Sequence, residues 1–460
     1  MHEPGSFRDR QSQVFYGEDG EILRFLSEEG LDDWHALASS SLYSRFSDAG
    51  LLVPTELVDV DESVRNGWSA MLRHERVPFI SYPYEWSFSM LKDAALLELD
   101  LVLASLDEGL ILKDASPYNV QWRGAHPVFI DIGSFERLRP GEPWAGYRQF
   151  CMLYLYPLLL EAYRGIPFQP LLRGSLEGVE PAVSRRHFSL RDLVRRGVFS
   201  HVVLHGRLER RHGNDGGSVR RELEAAGFGT ELIKANVGRL RKLVARLEPS
   251  RSESTWSGYG SCNTYSDEES QRKAEIVRAT AQALQPKLVW DIGCNDGRYS
   301  RIAAEYAEYT VAIDADRTTI DRFYRSLAAD GERSILTLLV DVADPSPALG
   351  WRNLERKTLV DRGTPDLTLC LAIVHHLAIT RNIPLRSFLE WLHSLDSVIL
   401  IEFPDEHDPM VRVLLDAKRP GTHDDYSRAN FERILSEIFT VESSVALSGT
   451  RTMYLAHPLQ

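Results

Sequence analysis

The run Leu288-Val-Trp-Asp-Ile-Gly-Cys-Asn-Asp-Gly-Arg-Tyr-Ser300 constrains the fold of this chain more than any other stretch. An apolar segment ends in an acid, two glycines follow within a short turn, and a helical pattern starts at the second of them. That is a strand, a tight loop and a helix start, the opening of a crossover unit in a parallel sheet. Gly293 and Gly297 remove side chains where the backbone must bend sharply or let a ligand come close.

The loop is a poor cradle for a diphosphate. Asp291 precedes the glycines and Asp296 stands at the helix start, where an anion would meet like charge. A ligand with a cationic amino-acid end suits it better. A second strand, Thr310-Val-Ala-Ile-Asp-Ala-Asp316, carries Asp314, 23 residues beyond Asp291, the distance at which a carboxylate takes ribose hydroxyls. A third, Ile335 to Val340, ends in Asp341, placed to meet the edge of an adenine.

Three acids at successive strand ends behind this loop resemble the class I S-adenosylmethionine-dependent methyltransferases, over residues 255–460. The resemblance implies a doubly wound, Rossmann-like sheet of seven strands with S-adenosyl-L-methionine as cofactor. It places Asp291, Gly293, Cys294, Asn295 and Gly297 around the methionine moiety, Asp314 on the ribose, and Asp341 with Val342 at the adenine. For Cys294 the favoured reading of the residue itself is a small side chain packed into the loop.

The rest of that region fits an α/β alternation. Asp366 to Ala372 and Val398 to Phe403 read as a fourth and a fifth strand, a helix is expected near Ser427–Phe439, and two extended runs, Val441–Leu447 and Arg451–His457, close a hairpin. In such sheets the reaction centre lies beyond the carboxyl ends of the strands, so His375, His376 and Glu402 fall near the transferred methyl. Methyl transfer needs an aligned nucleophile and removal of its proton, a task to which histidine is suited near neutral pH. No metal set is expected in this region. Ser252 to Asn263 forms a Ser- and Gly-rich loop whose Trp256 and Tyr259, with Tyr265 beyond, line an acceptor pocket or pack onto the sheet.

A second informative stretch lies upstream. Lys113-Asp-Ala-Ser-Pro-Tyr-Asn-Val-Gln-Trp122 is followed by Val128-Phe-Ile-Asp-Ile-Gly-Ser134, so Asn119 stands five residues after Asp114 and Asp131 twelve after that. Phosphoryl transfer requires a base at the hydroxyl and oxygen ligands for magnesium from adjacent loops. The spacing resembles protein-kinase-like and aminoglycoside-phosphotransferase-like folds, which implies Asp114 as base, Asn119 and Asp131 on metal, and Mg-ATP as a ligand. The likeness is incomplete. No lysine precedes Lys92, a glycine-rich phosphate lid is absent, and Arg24 or Arg8 would have to replace the strand lysine that holds ATP phosphates. An active kinase, a kinase-derived binding domain and coincidence all remain open.

Earlier, residues 12–26 read as a hairpin turning at Gly17–Gly20, Leu31–Gly50 as helix, Leu51–Pro54 and Val77–Ile80 as short strands, and Ser87–Leu106 as a helix. The apolar run Cys151–Leu160 is too short to span a bilayer and reads as a buried helix. The polar, glycine-rich break Arg210–Gly217 marks a linker, followed by helical patterns at Val219–Ala226 and Glu231–Leu247, the second read as a solvated connector. His201, His205 and His212 lack an acid or cysteine to complete a metal site.

The expected organisation is thus an N-terminal α+β kinase-like domain over residues 1–205, a helical linker over 206–254 and the methyltransferase-like domain over 255–460. A net charge of −13 argues against general nucleic-acid binding, and the acceptor is expected to be a hydroxyl or carboxyl of a small molecule or glycan. The four dispersed cysteines and the polar N-terminal residues read as cytoplasmic. The arrangement loosely resembles bacterial methyltransferase-like proteins linked to nodulation or cell-surface saccharides. Alternatives are a bifunctional saccharide kinase–methyltransferase and a non-catalytic cofactor-binding scaffold or sensor.

Overall fold

The structure, a computed structural model, describes residues 2–17, 20–59, 67–139, 141–204, 229–250 and 266–459. The break at 210–217, the helical pattern at 219–226, His205, His212, Cys262 and the aromatic loop with Trp256, Tyr259 and Tyr265 lie outside the described residues. The chain divides into two units, one of residues 1–122, 126–252 and 348–356, the other of residues 123–125, 253–347 and 357–460.

The first unit opens with β1 (Ser12–Tyr16) and β2 (Ile22–Leu26), the expected hairpin, with Tyr16 opposite Ile22. The helical pattern that follows is two helices, Glu28–Ala38 and Ser41–Asp48. They part at Ser39-Ser40 because Ser39 Oγ turns back onto His35 O at 2.7 Å while Ser40 Oγ accepts from Tyr43 N and caps the next helix. β3 (Thr55–Val58) and β4 (Ala70–His74) complete an antiparallel sheet of order β1-β2-β4-β3. The short strands expected at Leu51 and Val77 are not formed. Leu52 makes an isolated parallel bridge to Phe129, and Val77–Ile80, which includes Pro78 without an N–H, is irregular chain after β4.

A long helix, Phe88–Asp107, capped by Ser87, leads into β5 (Leu110–Leu112). A hairpin of β6 (Val120–Arg123) and β7 (His126–Phe129) follows, and then β8 (Phe135–Arg137), which pairs back onto β5 antiparallel. The run from Cys151 is a buried helix whose first turn, Cys151–Leu155, is widened ahead of Pro157 before regular helix continues to Arg164. Helix Thr230–Ala245 is not merely solvated. Ile233, Val237, Leu240 and Val244 recur at helical spacing and are buried, and Arg241 ion-pairs with Asp100 of the long helix.

The second unit holds one sheet of seven strands: β9 (Leu288–Ile292), β10 (Tyr309–Asp314), β11 (Ile335–Leu339), β12 (Leu367–Cys370), β13 (Val398–Pro404), β14 (Phe439–Ala446) and β15 (Arg451–Pro458). Its order is β11-β10-β9-β12-β13-β15-β14; the first five named are parallel, and β15 runs antiparallel to both of its neighbours. Parallel strands need crossovers, and helices Arg298–Ala304, Arg317–Asp330 and Leu385–His393 supply three of them. On one face Val289, Leu367, Leu369, Leu400 and Met453 form a core with Ala274, Val277 and Ala281 of helix Asp267–Leu284. Strand order reverses between β9 and β12, so the chain leaves these two strands in opposite directions and a crevice opens at their carboxyl ends.

Candidate functional site

The loop after β9 lies at that crevice. Gly293 and Cys294 donate their N–H groups to Ile313 O at 2.8 and 3.0 Å, folding the loop against β10. Gly293, Asn295 and Gly297 all have positive φ (77°, 49° and 78°), and side chains pack close to both glycines, much more tightly at Gly297. A Cβ on Gly293 would stand 2.8 Å from Ile373 Cδ1, and one on Gly297 would stand 1.9 Å from Phe323 Cζ. The room they leave is therefore taken at least in part by protein side chains.

The three acids converge as their strand positions require. Asp291 is buried; its Oδ2 accepts from Ser300 Oγ at 2.6 Å, while its Oδ1 has no hydrogen-bond partner. Burial pushes its carboxyl up to about 6, against the lowering effects of Ser300 and Lys273. Asp314, at the end of β10, accepts from the N–H of Asn295 (3.0 Å) and of Asp316 (2.8 Å), so it tethers the glycine loop. Asp341 follows β11, accepts from Ala343 N at 2.9 Å and ion-pairs with Arg381; Val342 is half-buried beside it. Val340 N donates to Asp314 O, which ties the second and third strand ends together.

These residues fit S-adenosylmethionine. A buried carboxylate oxygen without a partner matches an ammonium donor, and a half-buried carboxylate at the neighbouring strand end matches sugar hydroxyls. Asp341 is the exception, because Arg381 already engages one of its oxygens.

His375 and His376 follow β12, and their rings lie against each other with centroids 4.1 Å apart, tilted by 39°. His375 is buried and its Nδ1 has no partner, whereas His376 is half-buried. Burial holds His375 well below its ordinary value, with His376, Arg451 and Lys273 adding to the effect, and burial brings His376 down to about 4. The expectation of a histidine that takes up a proton near neutral pH therefore meets an environment that disfavours imidazolium at both positions.

Glu402 does not have the freedom of a base. It lies within β13 with no exposure, accepting from Lys273 Nζ at 2.6 Å and from Arg451 Nη1 at 3.2 Å. Arg451 Nε reaches on to Asp408 Oδ2 at 2.7 Å, and Asp408 caps helix Pro409–Asp416. Lys273, Arg451 and Asp408 had no signal in the sequence beyond their charge.

In the first unit the structure brings Asp114, Asn119 and Asp131 into one neighbourhood and adds a fourth member. Asp131 Oδ1 is 2.8 Å from Arg24 Nη1, Asp131 Oδ2 accepts from Ser134 Oγ at 2.7 Å, and Asn119 Nδ2 donates to the same Ser134 Oγ at 3.2 Å. Arg24, on β2, also donates to Ser12 Oγ and to His74 Nε2. Arg8 instead pairs with Glu355 at 2.6 Å. Burial would raise the Asp131 carboxyl, but Arg24 and Ser134 outweigh it and hold it below the ordinary value. Asp114 is raised, by burial and then by Asp131. Behind them Glu98 is buried with neither oxygen partnered, and burial raises it strongly.

No family model matches the chain. Nodulation protein NoeA of Rhizobium meliloti (strain 1021) is 33% identical over 458 residues, covering 98% of this chain and 94% of the relative. Among solved structures, magnesium protoporphyrin IX methyltransferase (ChlM) from Synechocystis PCC 6803 with bound SAH has a TM-score of 0.32 at 19% identity, covering 42% of this chain and 84% of its own. N-methyltransferase NodS from Bradyrhizobium japonicum WM9 in complex with S-adenosyl-l-homocysteine has a TM-score of 0.32 at 13% identity, covering 43% and 90%.

Five parallel strands reversing at β9/β12, an antiparallel strand inserted beside the fifth, and acids closing three successive strands give the second unit the S-adenosylmethionine-dependent methyltransferase fold. Taken over its length, the chain belongs to the family of nodulation protein NoeA.

Proposed function

We propose that the protein transfers a methyl group from S-adenosylmethionine to a hydroxyl or carboxyl of a small-molecule or glycan acceptor. The observation that carries this reading is the buried, unpartnered Asp291 Oδ1 behind a glycine loop tethered by Asp314. When bound, the cofactor supplies an electrophilic methyl on a sulfonium. Asp291 would accept from its ammonium, Asp314 from its ribose hydroxyls, and Asp341 with Val342 would stand at the adenine.

Between the two acceptor chemistries, the surroundings favour a carboxyl. An alcohol needs a base, yet both histidines resist protonation and Glu402 is occupied by two cations. A carboxylate arrives already ionised. His375 Nδ1 then orients the acceptor as a hydrogen-bond partner rather than removing a proton. The relative's name directs the search for the acceptor to nodulation. The test is incubation with methyl-labelled cofactor and fractionated extract, followed by alkali. Label released as methanol marks an ester, alkali-stable label marks an ether, and no transfer to any fraction counts against the activity.

For the first unit we infer a kinase-derived binding domain. Support comes from the β5–β8 pairing around the β6–β7 hairpin, which sets Asp114, Asn119 and Asp131 in successive turns, and from Arg24, which meets Asp131 in place of a strand lysine. Magnesium does not fit the residues as they stand. Both Asp131 oxygens have partners, one of them an arginine, and the Asn119 amide nitrogen is bound to Ser134 Oγ.

A further inference from the structure

Glu402 anchors a charged chain that the proposed reaction leaves unused: Lys273, Glu402, Arg451 and Asp408, none more than 4% exposed. The chain joins helix Asp267–Leu284 to β13, β15 and the turn before helix Pro409–Asp416. Two cations and two acids balance, but charges withdrawn from water recover little net stability, and apolar replacements of such groups are often neutral or stabilising. Stability alone therefore gives a weak reason for this arrangement.

Its position gives a better one. Lys273 Nζ lies 4.7 Å from the centre of the Tyr299 ring. The next residue, Ser300, donates to Asp291 Oδ2 at 2.6 Å. Lys273 is thus seated on the helix start that holds the carboxylate facing the cofactor. We propose that Lys273 is a positioning residue: its buried ammonium, fixed by Glu402, keeps Asp291 charged toward the ammonium of the bound cofactor. This rests on the cofactor reading above.

The balance of charge around Asp291 shows why such a cation matters. Helix Asp267–Leu284 presents Lys273; β10 presents Asp314; the glycine loop presents Asp296 and the Cys294 thiol; β12 presents the Cys370 thiol; helix Arg298–Ala304 presents the neutral Ser300 hydroxyl. In that set Lys273 is the positive group, and two carboxylates oppose ionisation of a third that is already desolvated. With Lys273 removed, Asp291 would hold its proton to a higher pH. A neutral acid offers an ammonium much less than a carboxylate does.

The test is calorimetric titration of the full chain with S-adenosylhomocysteine, which carries the same ammonium, between pH 5.5 and about 8.5. Wild type is expected to lose affinity as the pH falls through about 6. In Lys273→Met the loss should begin roughly one pH unit higher, with binding about 2- to 5-fold weaker between the two midpoints and approaching ~10-fold weaker below them. Glu402→Gln removes the acid that supports the Lys273 charge against burial and should move the midpoint in the same direction, by less than Lys273→Met does. The double variant Lys273→Met/Glu402→Gln removes the stranded acid, so it should recover thermal stability while keeping the raised midpoint. Recovery of the wild-type pH profile along with stability in the double variant would show a brace and overturn the proposal. Binding by wild type with an unshifted profile in Lys273→Met overturns it too, leaving the cofactor reading intact. Wild type that binds no S-adenosylhomocysteine at any pH overturns both.

Discussion

Replacing Gly297 by alanine tests the glycine loop without assuming any ligand. Gly297 has φ 78° and ψ 16°, a left-handed conformation that costs an L-residue about 1–2 kcal/mol. The added Cβ would also lie 1.9, 2.1 and 2.3 Å from three carbons of the Phe323 ring. Non-bonded carbons rest at about 3.5–4.0 Å, so the ring or the loop must give way by roughly 1.5 Å. Phe323 is 3% exposed on helix Arg317–Asp330 and has no solvent to swing into, which places the overlap among overpacked cores at about 1–3 kcal/mol. The expected loss is about 2–5 kcal/mol. Because the chain has two units, a single global midpoint would blur it, and hydrogen exchange of peptides spanning β9 and β10 in the intact protein is the suitable assay. Gly293→Ala supplies the internal control. Its Cβ meets the mobile end of Ile373 at 2.8 Å, so little beyond the φ term of about 1–2 kcal/mol is expected. The double variant Gly297→Ala/Phe323→Leu should regain part of the loss. Equal, small effects at both glycines, or no rescue by Phe323→Leu, would refute the packing argument.

Three further outcomes are expected. Asp314→Ala should weaken S-adenosylhomocysteine binding by about 2–4 kcal/mol in calorimetry, and Asp314→Asn less because it can still accept from Asn295 N; unchanged affinity in both would remove Asp314 from the site. Asp131→Ala leaves Arg24 without its carboxylate and should destabilise the first unit by about 2–3 kcal/mol, less than a fully buried pair because both side chains are partly exposed, whereas magnesium should give wild type no thermal shift. His74 and His376 are held neutral by burial, down to about 3 and about 4, so stability is undiminished above the unfolded value near 6.5. Below that the unfolded chain takes up protons the folded one refuses, and stability falls as the pH drops toward 4; urea midpoints for His74→Gln should show a flatter acid limb than wild type.

The parallel half of the sheet was legible because each of its signals is local. An apolar run ending in Asp291, Asp314 or Asp341 announces a strand and its exit within a few residues. What escaped depends on partners distant in sequence. Lys273 and Glu402 are 129 residues apart, and a lysine among Gln, Arg and Glu on a helix reads as a solvated face. Arg24 was a candidate only by elimination, and its contact with Asp131 depends on the register of a hairpin against β4. The role of the glycines was half visible: the tight turn between strand and helix indicates that a Cβ is unwelcome, but the identity of Phe323 and Ile373 as the obstacles comes only from packing. The strand placed at Val77 failed because β4 ends at His74, before Pro78.

The position of β15 between β13 and β14 has a consequence for the order in which the sheet is built. The strand made last fills an interior place, so β14 leaves synthesis with no partner in the sheet and waits until β15 arrives to join it to β13. An unpaired strand in that interval invites pairing with another chain. β14 is poorly suited to such an encounter. It is largely exposed and polar along its length, carries Glu442, and is broken by a bulge between Val441 and Ser443. The same features serve it after assembly, when it becomes the outer edge, so one set of residues guards against mispairing both before and after the sheet closes.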